Sequence, residues 1–341
     1  MASRALAQHS RRDAPLRPAG PADGRPSLLL VGDDGGDPAG WARRGIERRY
    51  RLLSPPAGGG SEGGGPAAAA GVVTFQRAAV DRALRLAERS GLPTAALRTA
   101  ALSRSGTPRR SAPADGSAPG PAWTVVVVCA VLDGRPSPLF AARPEREGED
   151  TGYVVEASDP LLHRRDVIGA VLGAHRGLDI RAGLTATEVG VVGRDGGRPA
   201  EWVGVEGLLG ADPLLRAGSL ATGVDCALAW ADLAAGAAPD LTPRRRSAAA
   251  VRLTRPGREL ALEPVELDVS ALPGGIWEVH LGADRDGEGH APARPVVLAV
   301  SVGEDAAACR RALDLLPGAL RVRHRPPPPL TEERNRRRTH V

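Results

Sequence analysis

Residues 185–253 read TATEVGVVGRDGGRPAEWVGVEGLLGADPLLRAGSLATGVDCALAWADLAAGAAPDLTPRRRSAAAVRL. The stretch opens as a hairpin. Gly183–Val192 and Ala200–Val205 are expected strands flanking the turn Asp195-Gly196-Gly197. Two helices follow, Asp212–Thr222 and Val224–Gly236, and then a strand, Ala248–Leu253. Glu188 and Glu206 are equidistant from Gly197. A three-residue loop centred on that glycine sets the two carboxylates opposite each other on one sheet face. Positions 204 and 206 share the face in any case, because the strand period is two. Opposed carboxylates are costly unless a cation or an arginine lies between them. One reading is therefore a Mg²⁺ site, since Mg²⁺ takes one or two carboxylates and completes its shell with phosphate oxygens. The other is two solvated glutamates on an exposed face.

Outward from this stretch, 122–325 reads as α+β with a mostly antiparallel sheet. Trp123–Leu132 and Ser137–Ala142 are strands joined by Asp133-Gly134, and Tyr153–Glu156 is another. Pro160–Arg176 is an amphipathic helix with Leu161, Val167, Ile168, Val171 and Leu172 as its apolar stripe. Glu259–Val269, Ile276–Leu281 and Pro295–Val302 are strands, Glu304–Leu316 a helix and Ala319–His324 a last strand. Residues 27–103 instead alternate β and α, the pattern of a parallel layered lobe. There Ser27–Gly32, Tyr50–Leu53 and Val72–Phe75 are strands, and Pro38–Arg49 and Gln76–Ser90 are helices. Five segments are too rich in Gly, Pro, Ser or charge to bury a core: 1–26, 54–70, 104–121, 283–294 and 326–341. The expected organisation is a tail (1–26), an α/β lobe (27–103), a linker (104–121), an α+β lobe (122–325) and a basic tail (326–341).

The quoted stretch resembles the C-terminal half of the ATP-grasp domain of carboxylate–amine ligases. The resembled pattern is a T-E-V strand, a turn, an E-V-N-x-R-L-G-G-D strand, a helix ending A-T-G-V-D, a second helix, P-D-L-T-P and a strand A-A-V-R. Ala217–Arg252 follows it almost without gaps. WTVVVVCAVLDGRPSPLF is similar to the family's E-Y-S-V…D-G strand pair. GVVTFQRAAVDRALRLAERSGLP resembles the end of its N-terminal lobe, and VVLAVSVGEDAAACRRALDLL its closing segment. The resemblance implies a degenerate ATP-grasp fold, ATP and Mg²⁺ as cofactors, and ligation through an acyl phosphate. It implies metal ligation by Glu188. The family's second glutamate falls on Gly204, its asparagine on Glu206 and its phosphate-facing arginine on Leu208. Glu206 can serve as a displaced carboxylate; Leu208 cannot replace a guanidinium. The family's small nucleotide-clamping lobe belongs between about 104 and 122, where this chain has only a Ser/Pro/Gly/Arg linker. That lobe is therefore expected to be missing.

All 45 basic residues are arginine, and the chain has no lysine. This excludes a Walker A loop, a Schiff base and a lysine general base, and the clamp lysines of the resembled family with them. The net charge is +5, but the tails 1–26 and 321–341 carry +3 and +5, so the body 27–320 carries −3. Such a body is a poor nucleic-acid surface, and no specific nucleic-acid partner is expected. Cys129, Cys226 and Cys309 are scattered, without CxxC spacing, which fits a reducing cytoplasm. The N-terminus has no apolar signal core, and the longest apolar run, Val125–Leu132, is too short to span a bilayer; no membrane association is expected. The turn Gly32–Asp37 lacks GxGxxG, and its aspartates repel phosphate. His163 and His175 read as solvated or capping histidines, and Arg244-Arg245-Arg246 as a solvated run that could hold an anion. The expected function is an ATP-grasp protein with impaired or lost catalysis. The alternative is a non-catalytic binding or scaffold partner of an active ligase. A small-molecule carboxylate or a partner ligase is the expected counterpart.

Overall fold

Ser27–Leu30 (β1) is buried along its whole length, as a central parallel strand must be. It pairs in parallel with Arg51–Leu53 (β2) on one side and Ala69–Val73 (β3) on the other. The computed structural model describes residues 25–32, 40–54, 69–96, 123–147, 150–176, 178, 180–191, 200–254, 265–284 and 294–322. Residues 1–24 of the N-terminal tail, the C-terminal tail, the 104–121 linker and most of the other two expected loops lie outside these residues. Of the expected helix Pro38–Arg49, Trp41–Ile46 is α-helical (α1). Val80–Ser90 (α2) follows a 3₁₀ turn at Arg77–Ala79 and ends at Gly91, whose φ of 62° is the left-handed stop the sequence signals. The strand β3 starts earlier than expected because Ala69 and Gly71 pair with β1.

The second lobe is one eight-stranded antiparallel sheet. In chain order its strands are Trp123–Leu132 (β4), Arg135–Glu147 (β5), Asp150–Glu156 (β6), Ala182–Val191 (β7), Glu201–Leu208 (β8), Ala248–Thr254 (β9), Ile276–Asp284 (β11) and Arg294–Gly303 (β12). Their spatial order is β11-β12-β9-β6-β5-β4-β7-β8. Asp133 and Gly134 both have positive φ, 51° and 74°, the two-residue turn that matches strand twist. Of the expected strand Glu259–Val269, residues 259–264 lie outside the described residues, and Val265–Leu267 (β10) pairs with Leu320–Val322 (β13). A 3₁₀ turn ends it at Val269–Ala271, where Asp268 caps Ser270.

Alternation along β4 assigns the two faces. Val125, Val127 and Cys129 pack with Val189 and Val191 against Arg165–Arg176 (α3). The stripe of α3 is Val167, Val171 and Ala174, the i, i+4, i+7 set. Leu172 is exposed, and Ile168 is only half-buried. His175 is not solvated: it is buried, bonded to the Val171 carbonyl and the Thr185 hydroxyl, each at 2.9 Å. Farther along the same face, Ala306–Leu315 (α6) covers β9 and β12.

The opposite face, with Val126, Val128, Phe140 and Leu184, carries Pro213–Thr222 (α4), Cys226–Ala234 (α5) and the N-terminal lobe in one continuous core. Small residues set these approaches. A Cβ at Gly218 would lie 2.2 Å from the Phe140 ring, and one at Gly71 only 2.0 Å from the Ala234 carbonyl oxygen. The lobes are also latched. Asp232, 1% exposed on α5, accepts from the Tyr50 hydroxyl at 2.8 Å and from Arg49 Nη1 at 2.8 and 2.7 Å.

Candidate functional site

The segment just after the C-terminal end of β3 reaches the hairpin β7–β8, and open α/β sheets place ligands outside the C-terminal ends of their strands. Arg77 stands in the first turn after β3. Its guanidinium reaches the Glu206 carboxylate on β8, 129 residues away, and lies 3.6 Å from the Asp212 carboxylate. Asp212 caps α4 by accepting from the Leu214 N–H at 2.9 Å. Burial pushes the Asp212 carboxyl above the usual carboxylate range, against the Leu214 N–H and Arg77; the neighbouring Glu206 charge adds to the rise.

Glu188 and Glu206 share a face, as the strand period requires, but they are not opposite. Glu188 pairs with Gly204, and Glu206 pairs with Ala186. The pairing is two residues off the expected register, and a bulge between Glu188 and Val189 shifts it by one more toward the tip. Residues 192–199, including the turn glycines, lie outside the described residues. The two carboxylates are therefore on diagonal neighbours, residues that in such a ladder stand roughly 7–8 Å apart. Beside Glu188 the space is open: a Cβ at Gly204 would have no atom within 4 Å.

Among the described residues, no three Asp, Glu, His or Cys side chains group together. The positive charge on Glu206 comes from Arg77 instead. Leu208, where the resemblance implies a phosphate-facing arginine, is 3% exposed and packed into the core of this face. Sequence reasoning identified both glutamates and their shared face. It missed Arg77 and Asp212, because an ion pair across 129 residues leaves no mark in local spacing. The expected lysine-free linker at 104–121 lies outside the described residues.

No protein-family model matches the sequence, and no curated protein matches it. Solved structures do match in three dimensions. Phosphoribosylglycinamide synthetase from Anaerococcus prevotii is 11% identical, with 88% of this chain and 100% of that chain covered, at a TM-score of 0.62. L-amino acid ligase from Bacillus licheniformis is 13% identical, with 89% and 99% covered, at a TM-score of 0.60. A Rhizobium etli pyruvate carboxylase crystallized without acetyl coenzyme-A is 12% identical, with 88% of this chain but 38% of that chain covered, at 0.55. At such identities the likeness is one of fold.

Proposed function

We propose that this chain, which has the ATP-grasp fold, is a protein of the ATP-dependent carboxylate–amine ligase kind whose ligation step is impaired or lost. One observation carries the reading: Arg77 neutralises Glu206, the carboxylate that would hold Mg²⁺ with Glu188. A cation approaching Glu206 competes with that guanidinium, which also lies near Asp212; with both partners about half exposed, the pair opposes it by at most about 1 kcal/mol. Gly204 and Leu208 deepen the deficit, because neither supplies the charge that a transferred phosphoryl group needs. Removing one preorganised electrostatic donor costs about 10²–10³ in rate in well-studied sites. The absence of lysine points the same way. What such a fold retains is binding, with a small-molecule carboxylate or a partner ligase as its counterpart.

The test is ADP release from Mg²⁺·ATP by the full chain, with amino-acid mixtures as carboxylate and amine donors. The expected result is no turnover above background. Turnover of about 1 s⁻¹ or faster, within the ordinary enzyme range, overturns the reading. The double variant Arg77→Ala, Gly204→Glu should bind Mg²⁺ more tightly than the natural chain. It removes the competing guanidinium and places a second carboxylate directly opposite Glu188.

A further inference from the structure

The arginine run 244–246 does not act as a unit. Arg244 is held by Asp240, four residues upstream. Arg245 instead lines a cleft of about 320 Å³ between the two lobes, with Trp41, Arg48, Arg216, Ser219 and Trp277. Its backbone is fixed there, because its N–H caps α4 by donating to the Thr222 carbonyl at 2.9 Å. Its stem lies against Gly223, where a Cβ would meet Arg245 Cγ at 3.0 Å.

The other two arginines of the cleft are already paired. Arg216 forks onto both oxygens of Glu278 and lies over the Trp41 ring at 5.4 Å. Arg48 donates to Asp225 at 3.1 Å. Arg245 has no ion-pair partner among the described residues. The cleft therefore holds one surplus positive charge. Trp277 supplies its apolar wall. The register of β11 against β12 skips this residue, between Ile276 and Glu278, and Trp277 is 57% exposed. An exposed indole beside an unpaired guanidinium fits a ligand with one negative charge and one flat apolar group.

We propose that this cleft is a second binding site, for a small aromatic monocarboxylate. It lies at the C-terminal end of α4. Asp212 and the Arg77–Glu206 pair are at the other end of that ten-residue helix, about 15 Å away at 1.5 Å per residue. Occupation would bridge α1, α4 and β11, and so tie the N-terminal lobe to the far edge of the sheet.

Calorimetry on the full chain tests this with three probes. Phenylacetate carries both the carboxylate and the ring; acetate lacks the ring, and 2-phenylethanol lacks the charge. Phenylacetate should bind saturably, and each of the other two at least about tenfold more weakly, since both a charge-assisted pair and the aromatic contact are needed. Arg245→Ala, at an exposed position that the fold tolerates, should weaken phenylacetate about tenfold or more. Trp277→Ala should weaken phenylacetate and leave acetate unchanged. Glu188→Ala should leave phenylacetate binding intact. The proposal fails if phenylacetate shows no saturable heat or if Arg245→Ala binds it as the natural chain does. It fails also if Glu188→Ala abolishes binding, which would place the ligand on the other site.

Discussion

Asp232→Ala severs the latch between the lobes, and its cost can be worked out from the contacts. The carboxylate is 1% exposed and accepts three hydrogen bonds. Its loss leaves the Tyr50 hydroxyl, on a residue 3% exposed, with no partner for a donor that cannot reach water. A buried donor left unpaired costs about 1–3 kcal/mol. The Arg49 side chain is 49% exposed and can turn to solvent, so its share is that of a surface pair, at most about 1 kcal/mol. The sum, about 1–4 kcal/mol, overlaps the roughly 3–5 kcal/mol typical of breaking a buried pair. Urea unfolding followed by tryptophan fluorescence measures it. Tyr50→Phe removes the hydroxyl alone and should cost about 1 kcal/mol. In a double-mutant cycle, Asp232→Ala should then cost less in the Tyr50→Phe background than in the natural chain. An Asp232→Ala protein within about 0.5 kcal/mol of the natural chain would refute the latch. The same site predicts an alkaline limit. Burial and Asp232 push the Tyr50 hydroxyl well above its ordinary pKa of 10. The folded chain thus holds a proton that the unfolded chain releases. The resulting stability is complete below pH 10, falls as pH rises beyond it, and is absent in Tyr50→Phe.

Two further outcomes follow from the packing. Gly218→Ala places a methyl 2.2 Å from the Phe140 ring and should cost about 1–3 kcal/mol by overpacking, with Phe140→Leu partly restoring stability in the same unfolding assay. His175 is buried, and burial lowers its pKa below the ordinary 6.5. Its folded form resists a proton that the unfolded form accepts. Stability should therefore be complete above pH 6.5 and fall as the pH drops below it, and His175→Gln should flatten that slope.

Much of the fold was legible in the sequence, and the reason is local periodicity. The βα alternation of 27–90 announced a parallel lobe, and the Asp133-Gly134 turn announced its hairpin. Register was harder. The hairpin pairs two residues off the symmetry its turn suggests, and the Glu188–Val189 bulge changes the register by one more toward the tip; a bulge has no fixed sequence signature. The side chains that join the lobes were invisible for a different reason. Arg77 meets Glu206, and Arg49 and Tyr50 meet Asp232, across 129 to 183 residues, so no local window contains both partners. A trace existed only for Asp232, a lone acid in the apolar helix CALAWADLA, which demands a buried partner. His175 misled because a polar residue at a helix end resembles a cap, whereas its ring turns inward to Thr185.

The account rests on Arg77 taking the place of a cation at Glu206. A calorimetric titration of the full chain with Mg²⁺·ATP tests it most directly. The expected result is no heat of binding tighter than roughly millimolar, about −4 kcal/mol. Saturable binding in the micromolar range, lost on Glu188→Ala, would contradict it.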